Sequence, residues 1–240
     1  MQFCYFAFFE DRQNAAARIS ADDLGRFRAC IRGLKGLAKG HLYTPAMASD
    51  LYTNDGQPPI FGLQLYFDAI ASLESAIGRD GALKRLAESG ELESLRSAHI
   101  TQQAMLNREF AVPDPAPSTA NACSFLVYYP GPADDVHEWH AHYLTNHPPL
   151  MACLPGVREI EVLTRIDWID AMPWQRTRHM QRNRIMFDSA EVLTEALHSP
   201  VRHEMRADFE RLPPFQGGNF HYAMATEVIR PSSRKEANHG

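Results

Sequence analysis

The sequence predicts an α+β fold: two ferredoxin-like β-α-β-β-α-β units in tandem, their antiparallel sheets packed into an α/β barrel. Three observations predict it. The chain repeats at a near-constant offset. Gln64-Leu65-Tyr66-Phe67-Asp68, with Leu73 and Ala76 after it, is matched 120 positions later by Arg184-Ile185-Met186-Phe187-Asp188, with Leu193 and Ala196. Gly36 to Thr44 matches Gly156 to Thr164 at the same spacing, and Cys4-Tyr5-Phe6 precedes Cys123-Ser124-Phe125 by 119 positions. Secondly, each half reads strand, helix, strand, strand, helix, strand, the split βαβ order. Thirdly, one such sheet has helices on one face only, and a second sheet in the same chain can cover the other.

The elements follow in order. Phe3 to Glu10 is apolar and aromatic, a strand. Ser20 caps a helix whose first turn holds Asp22 and Asp23, and Leu24, Phe27 and Ile31 keep helical spacing up to Arg32. Gly33 and Gly36 end it, and a strand runs from Leu37 to Thr44. Residues 45–59 form a loop rich in Pro, Gly, Asn and Asp. Ile60 to Phe67 is the third strand, Asp68 caps the next helix, a short helix follows at Ala82 to Ser89, and His99 to Phe110 closes the unit. The second half gives strand Cys123–Tyr129, helix Val136–Cys153, strands Val157–Asp167 and Met180–Phe187, helices Ala190–His198 and Val201–Arg211, and strand Asn219–Ile229. Residues 1–112 are thus the N-terminal unit, 113–121 a Pro-rich linker, 122–230 the C-terminal unit and 231–240 a polar, frayed tail.

Composition narrows the function. The 240 residues are 45% hydrophobic and 22% charged, with a net charge of −5. Without a basic excess, nucleic acid is excluded as a partner. No apolar run reaches the ~18 residues of a membrane span, and the N-terminus reads as a strand and not a signal peptide. Cys4, Cys30, Cys123 and Cys153 stand far apart with no CxxC pair, and a cytoplasmic location is the expectation. Duplication lowers the need for a second copy, though a homodimer stays open.

Tyr143-Leu144-Thr145-Asn146-His147-Pro148-Pro149-Leu150, then Leu154-Pro155-Gly156-Val157-Arg158, resembles the EthD family of dimeric α/β-barrel proteins. That family carries an aromatic residue, a His-x-Pro-Leu and a Leu-Pro-Gly-hydrophobic-Arg on its first helix and second strand. The first half lacks the motif: Ala21 to Arg32 holds no histidine. The resemblance therefore implies a site in the second half, no cofactor, and action on aromatic or polyketide-like molecules, with tandem relatives resembling enzymes for ring-cleavage products of lignin-derived aromatics.

The residues suggest how. His140, Tyr143 and His147 share a helix face, and a histidine exchanges protons near neutral pH. His147 is the candidate general base or acid, His140 its partner and Tyr143 a substrate contact; a hydrogen-bonded histidine before Pro148 is the plainer alternative. A metal is disfavoured: His140 and His142 diverge by roughly 200° on an ideal helix, and His-Glu-x-x-His spacing is absent. Arg182 and Arg184 alternate onto one strand face, as a solvated edge or, in a cleft, as a grip for a carboxylate. On the last strand His221 joins the catalytic candidates and Tyr222 the binding ones, though alternation lets only one of them line a given cavity. His41 and Tyr43 share a face of the second strand, and Tyr66 and Gln103 can also lie inside. Trp168 precedes and Trp174 sits within a long loop, Ile169 to His179, that can close over a ligand or pack as core. No nucleophile elbow, P-loop or dinucleotide fingerprint occurs. The expected function is cofactor-independent acid–base catalysis (isomerisation, dehydration or methyl-ester hydrolysis) on a small unsaturated or aromatic-derived acid. The alternatives are a non-catalytic small-molecule binding protein and a haem- or oxygen-linked role.

Overall fold

The structure is a computed structural model that describes residues 1–11, 13–14, 16–116 and 120–232. In the N-terminal half, β1 (Gln2–Glu10), α1 (Ala21–Arg32), β2 (Leu37–Pro45), β3 (Phe61–Phe67), α2 (Ile70–Ile77), α3 (Ala82–Glu88) and β4 (His99–Phe110) follow in order. The C-terminal half has β5 (Cys123–Tyr129), α4 (Val136–Met151), β6 (Val157–Arg165), a two-residue β7 (Gln175–Arg176), β8 (Gln181–Phe187), α5 (Ala190–Leu197), α6 (Pro200–Phe209) and β9 (Phe220–Ile229). Residues 113–116, 120 and 121 of the expected linker carry no helix or strand; the remainder of that segment, and the tail beyond 232, lie outside the described residues.

The strands are ordered β4-β1-β3-β2 in one half and β9-β5-β8-β6 in the other. Antiparallel seams β2–β9 and β4–β6 join them into a closed eight-stranded barrel, which leaves no free edge among those strands. β7 adds a short parallel pair to β4. Period-2 alternation splits each strand between two environments. On β1, Tyr5, Ala7 and Phe9 pack under the helices of the N-terminal half, while Cys4, Phe6 and Phe8 point into the barrel. Among the described residues no helix is long and apolar enough to cross a membrane.

The two halves agree in detail. Each has a β-bulge at the start of its second strand, at Leu37/Lys39 and at Val157/Glu159. Each enters that strand through a left-handed glycine, Gly36 (φ 72°) and Gly156 (φ 74°). A Cβ on Gly156 would lie 2.5 Å from Val192 Cγ1. Gly156→Ala is therefore expected to lose about 1–3 kcal/mol, from left-handed strain and this overlap together, as a lower urea midpoint at unchanged slope. The helix starts differ. Ser20 accepts from the Asp23 amide and Ser189 from the Val192 amide, as N-caps do. Asp68, expected as a cap, instead accepts from the Gln2 side chain, and α2 starts after Ala69 with no side-chain cap.

Each half also reaches across the other. The β2–β3 loop, residues 46–60, lies on the C-terminal half, where the Ala46 amide donates to Ala223 and Ser49 N to Thr194 Oγ1. The β6–β8 loop lies on the N-terminal half: Ala171 N donates to Ile77 O and Gln102 Nε2 to Trp174 O.

Candidate active site

Helix α4 turns Trp139, Tyr143, His147 and Met151 inward, one per turn. Helix α6 turns in Arg202, Met205 and Asp208. The two helices meet so that His147 Nδ1 lies 2.8 Å from Asp208 Oδ2, with both side chains nearly sealed from solvent, 7% and 6% exposed. Burial pulls the His147 pKa below the ordinary histidine value, and the hydrogen bond to Asp208 only partly offsets this. The Asp208 carboxyl is held below its usual range by that same bond. Both directions describe a neutral imidazole beside a carboxylate. Nδ1–H then donates to Asp208, and Nε2 is left as a base.

The sheet supplies the facing wall. Asn183 of β8 donates from Nδ2 to the Tyr143 hydroxyl at 2.6 Å and is held by Gln181 at 3.0 Å. The Tyr143 ring centroid is 4.7 Å from that of His147. His221 of β9 stacks on Phe125, and its Nδ1 lies 2.8 Å from Asp55 Oδ2. Between helices and sheet sits a cavity of about 40 Å³ lined by Tyr143, His147, Asn183, Arg202, Asn219 and His221 with apolar neighbours. That is room for about one water molecule. Its cover is the loop from the other half. Asp50 accepts two hydrogen bonds from Arg202, at 2.8 and 2.7 Å, Tyr52 meets His203, and Thr53 lines the cavity.

The matching space of the N-terminal half is filled. Phe27 stands 120 positions before His147, Leu63 before Asn183 and Phe61 before Gln181. All three are fully buried in an apolar core, and Trp174 of the crossing loop drives its ring against Phe9 at 5.3 Å. The crossing loop of one half thus lays a tryptophan on an apolar core, and that of the other lays carboxylates on Arg202 and His221.

Of the expected site residues, His147, Tyr143 and His221 come together. His140 does not join them: it sits one position off the buried stripe, half-buried, with its ring edge-on to Trp139. Arg182 is also elsewhere. Residues 181, 183 and 185 of β8 face the helices, so 182 and 184 face the barrel, on the opposite side of the sheet from His147. The Arg182 guanidinium lies 4.9 Å from the ring of Phe8 and 4.8 Å from that of Tyr128. His41 and Tyr43 are likewise inside the barrel, in a buried network. His41 Nδ1 is 3.2 Å from the hydroxyls of Tyr43 and Tyr66, Tyr43 donates to Gln64, and Gln64 and Tyr66 donate to Glu161. Gln103 is there too, donating to the carbonyl of His179. Tyr222 lines a wider mouth of about 500 Å³ at the barrel's end, with Tyr128 and His179, while His221, its neighbour on the strand, faces the helices. Trp168 covers the N-terminal core beneath Arg176, far from the His147 cavity. Asp208, Asn183, Asp50 and Asp55 escaped the sequence reading. Setting the two halves in register marks two key positions, since Asn183 and His147 are polar where the first half has Leu63 and Phe27.

No family model matches the sequence, and no curated protein is significantly similar to it. Solved structures are similar in fold. An anthrone oxidase-like protein superposes with a TM-score of 0.60 at 10% identity, covering 98% of this chain and 96% of its own. A protein from Lactobacillus acidophilus NCFM, provisionally named a monooxygenase, gives 0.55 at 10% identity, covering 95% of each. An EthD-family protein from Bacillus halodurans C-125 covers 45% of this chain and 95% of its own at 18% identity, with a TM-score of 0.31 that is too low to carry the EthD assignment. The chain shares its ferredoxin-like α+β fold with these solved structures, and its barrel is closed within one polypeptide.

Proposed function

We propose that the chain is an enzyme that moves a proton on a small carboxylic acid, unsaturated or derived from an aromatic ring, in the His147–Asp208 pocket. The observation that carries this reading is a buried imidazole whose Nδ1 is held by a carboxylate at 2.8 Å and whose pKa burial pulls below the ordinary histidine value. Asp208 fixes the tautomer and stabilises the imidazolium that forms. Nε2 takes a proton from a carbon next to a carbonyl, or from water, and returns it. Tyr143 and Asn183 offer polar groups to the oxygen on which charge develops. The step draws on side chains alone and serves isomerisation, dehydration or methyl-ester hydrolysis of aromatic and lignin-derived compounds. Two fold neighbours carry names of oxygen-using enzymes. The carbanion left by the same deprotonation is the species that would meet dioxygen, so oxygen uptake belongs in the assay.

The test is turnover of a panel of unsaturated and aromatic-derived acids and their methyl esters. Asp208→Asn is expected to slow the active member by about 10²-fold or more. The partly apolar cavity also suits a non-catalytic binding protein. Binding of panel members with no chemical change in any of them would favour that reading and remove the enzymatic one.

A further inference from the structure

We infer that Arg202 is the residue that recognises the substrate's carboxylate, and that Asp50 occupies its place until substrate arrives. This rests on the pocket being the ligand site. Arg202 lines the cavity beside His147 and Asn219, and its guanidinium is bound through Nε and Nη2 by both oxygens of one carboxylate. The side chains of Asp50 and Arg202 are 5% and 8% exposed. That is the geometry in which an arginine holds a carboxylate ligand.

The occupant belongs to the other half of the chain, 152 positions away. Its loop holds the C-terminal half largely through polar groups: the backbone amide and hydroxyl of Ser49, the Tyr52 hydroxyl on His203, and Asp50 and Asp55. A cavity of about 40 Å³ admits no aromatic acid while that loop is down. A substrate carboxylate that replaces Asp50 repairs the ion pair it breaks and opens the space its own ring needs. A neutral analogue breaks the pair without repairing it. The pocket therefore selects monocarboxylates by exchange, and the affinity it shows is its intrinsic affinity reduced by the fraction of molecules in which Asp50 has left Arg202.

The probes are cinnamate, an unsaturated aromatic carboxylate, and cinnamamide, its neutral counterpart, titrated calorimetrically. Asp50→Asn is expected to bind cinnamate about tenfold tighter than wild type, with the acid still preferred to cinnamamide. Arg202→Gln is expected to lose the preference for the acid. On the unaltered protein, cinnamate is expected to speed hydrogen exchange across residues 46–57, a readout that does not require the variants to fold. Equal cinnamate affinity in wild type and Asp50→Asn, retained preference in Arg202→Gln, or no change in loop exchange overturns the inference. Turnover of any panel acid that depends on His147 would leave the enzymatic reading standing in that case. Conversely, tighter cinnamate binding in Asp50→Asn beside turnover indifferent to His147 would keep the inference and remove the catalytic role.

Discussion

His147→Gln is expected to lower turnover by about 10²–10⁴ with little loss of stability. Glutamine keeps a side-chain amide that can donate to Asp208 but has no basic nitrogen to take a proton. The pH dependence follows from the sign of the shift. Burial lowers the His147 pKa below its ordinary value, so the imidazole is already neutral at pH 7 and acts first as a base. Activity should fall on the acid side, with the limb of kcat/KM below pH 6.5. A limb centred well above 7, or full activity in His147→Gln, would take the proton carrier away from this residue. The same shift couples to folding. The unfolded chain binds the proton at about pH 6.5 and the folded chain only at lower pH, so stability rises with pH across that interval and is lost as pH falls through it. His41, His140 and His179, the last pushed down to about 2, shift in the same direction through burial. Urea midpoints should therefore begin to fall below pH 6.5, before the carboxylates titrate.

The fold could be read from the sequence because its signals are local and repeated. Alternating apolar strands, the Ser20 cap and the Gly36/Gly156 turns each act over a few residues, and the 120-position register shows that they recur. Half of the site could be read on the same grounds: the stripe of Tyr143 and His147 is helical periodicity. Spacing alone places His140 on that stripe, because residues three and four apart are both neighbours on a helix, and Trp139 decides which of the two neighbouring faces is buried. The remainder depends on pairings distant in sequence. Asp208 meets His147 from another helix, and Asp50 meets Arg202 from the other half. No spacing records those contacts. Arg182 shows the reverse limit: alternation correctly groups it with Arg184, but which face of β8 looks into the barrel is set by how the two halves close.

The largest expected loss of stability lies in that barrel, at Arg184. Its Nε and Nη2 each lie 2.9 Å from a Glu161 oxygen, and both residues are almost fully buried. Burial alone would raise the Glu161 pKa. The charge and hydrogen bonds of Arg184, with Lys39 at 3.7 Å, instead hold it far below the usual carboxylate range. Arg184→Met removes the main counter-charge while Tyr66 and Gln64 stay in place, and is expected to cost about 3–5 kcal/mol at pH 7, read from urea denaturation. In that variant the burial of Glu161 is opposed only by Lys39 and the hydrogen bonds of Tyr66 and Gln64, so its folded pKa rises well above its wild-type position. Its protonation then relieves part of the loss. The deficit relative to wild type should be greatest at neutral pH and shrink as pH falls through the raised pKa. Adding Glu161→Gln should restore much of the loss at pH 7, since a neutral amide needs no guanidinium. If the double variant is as unstable as the single one, the loss comes from the volume and shape of Arg184 and the ion pair contributes little to holding the barrel closed.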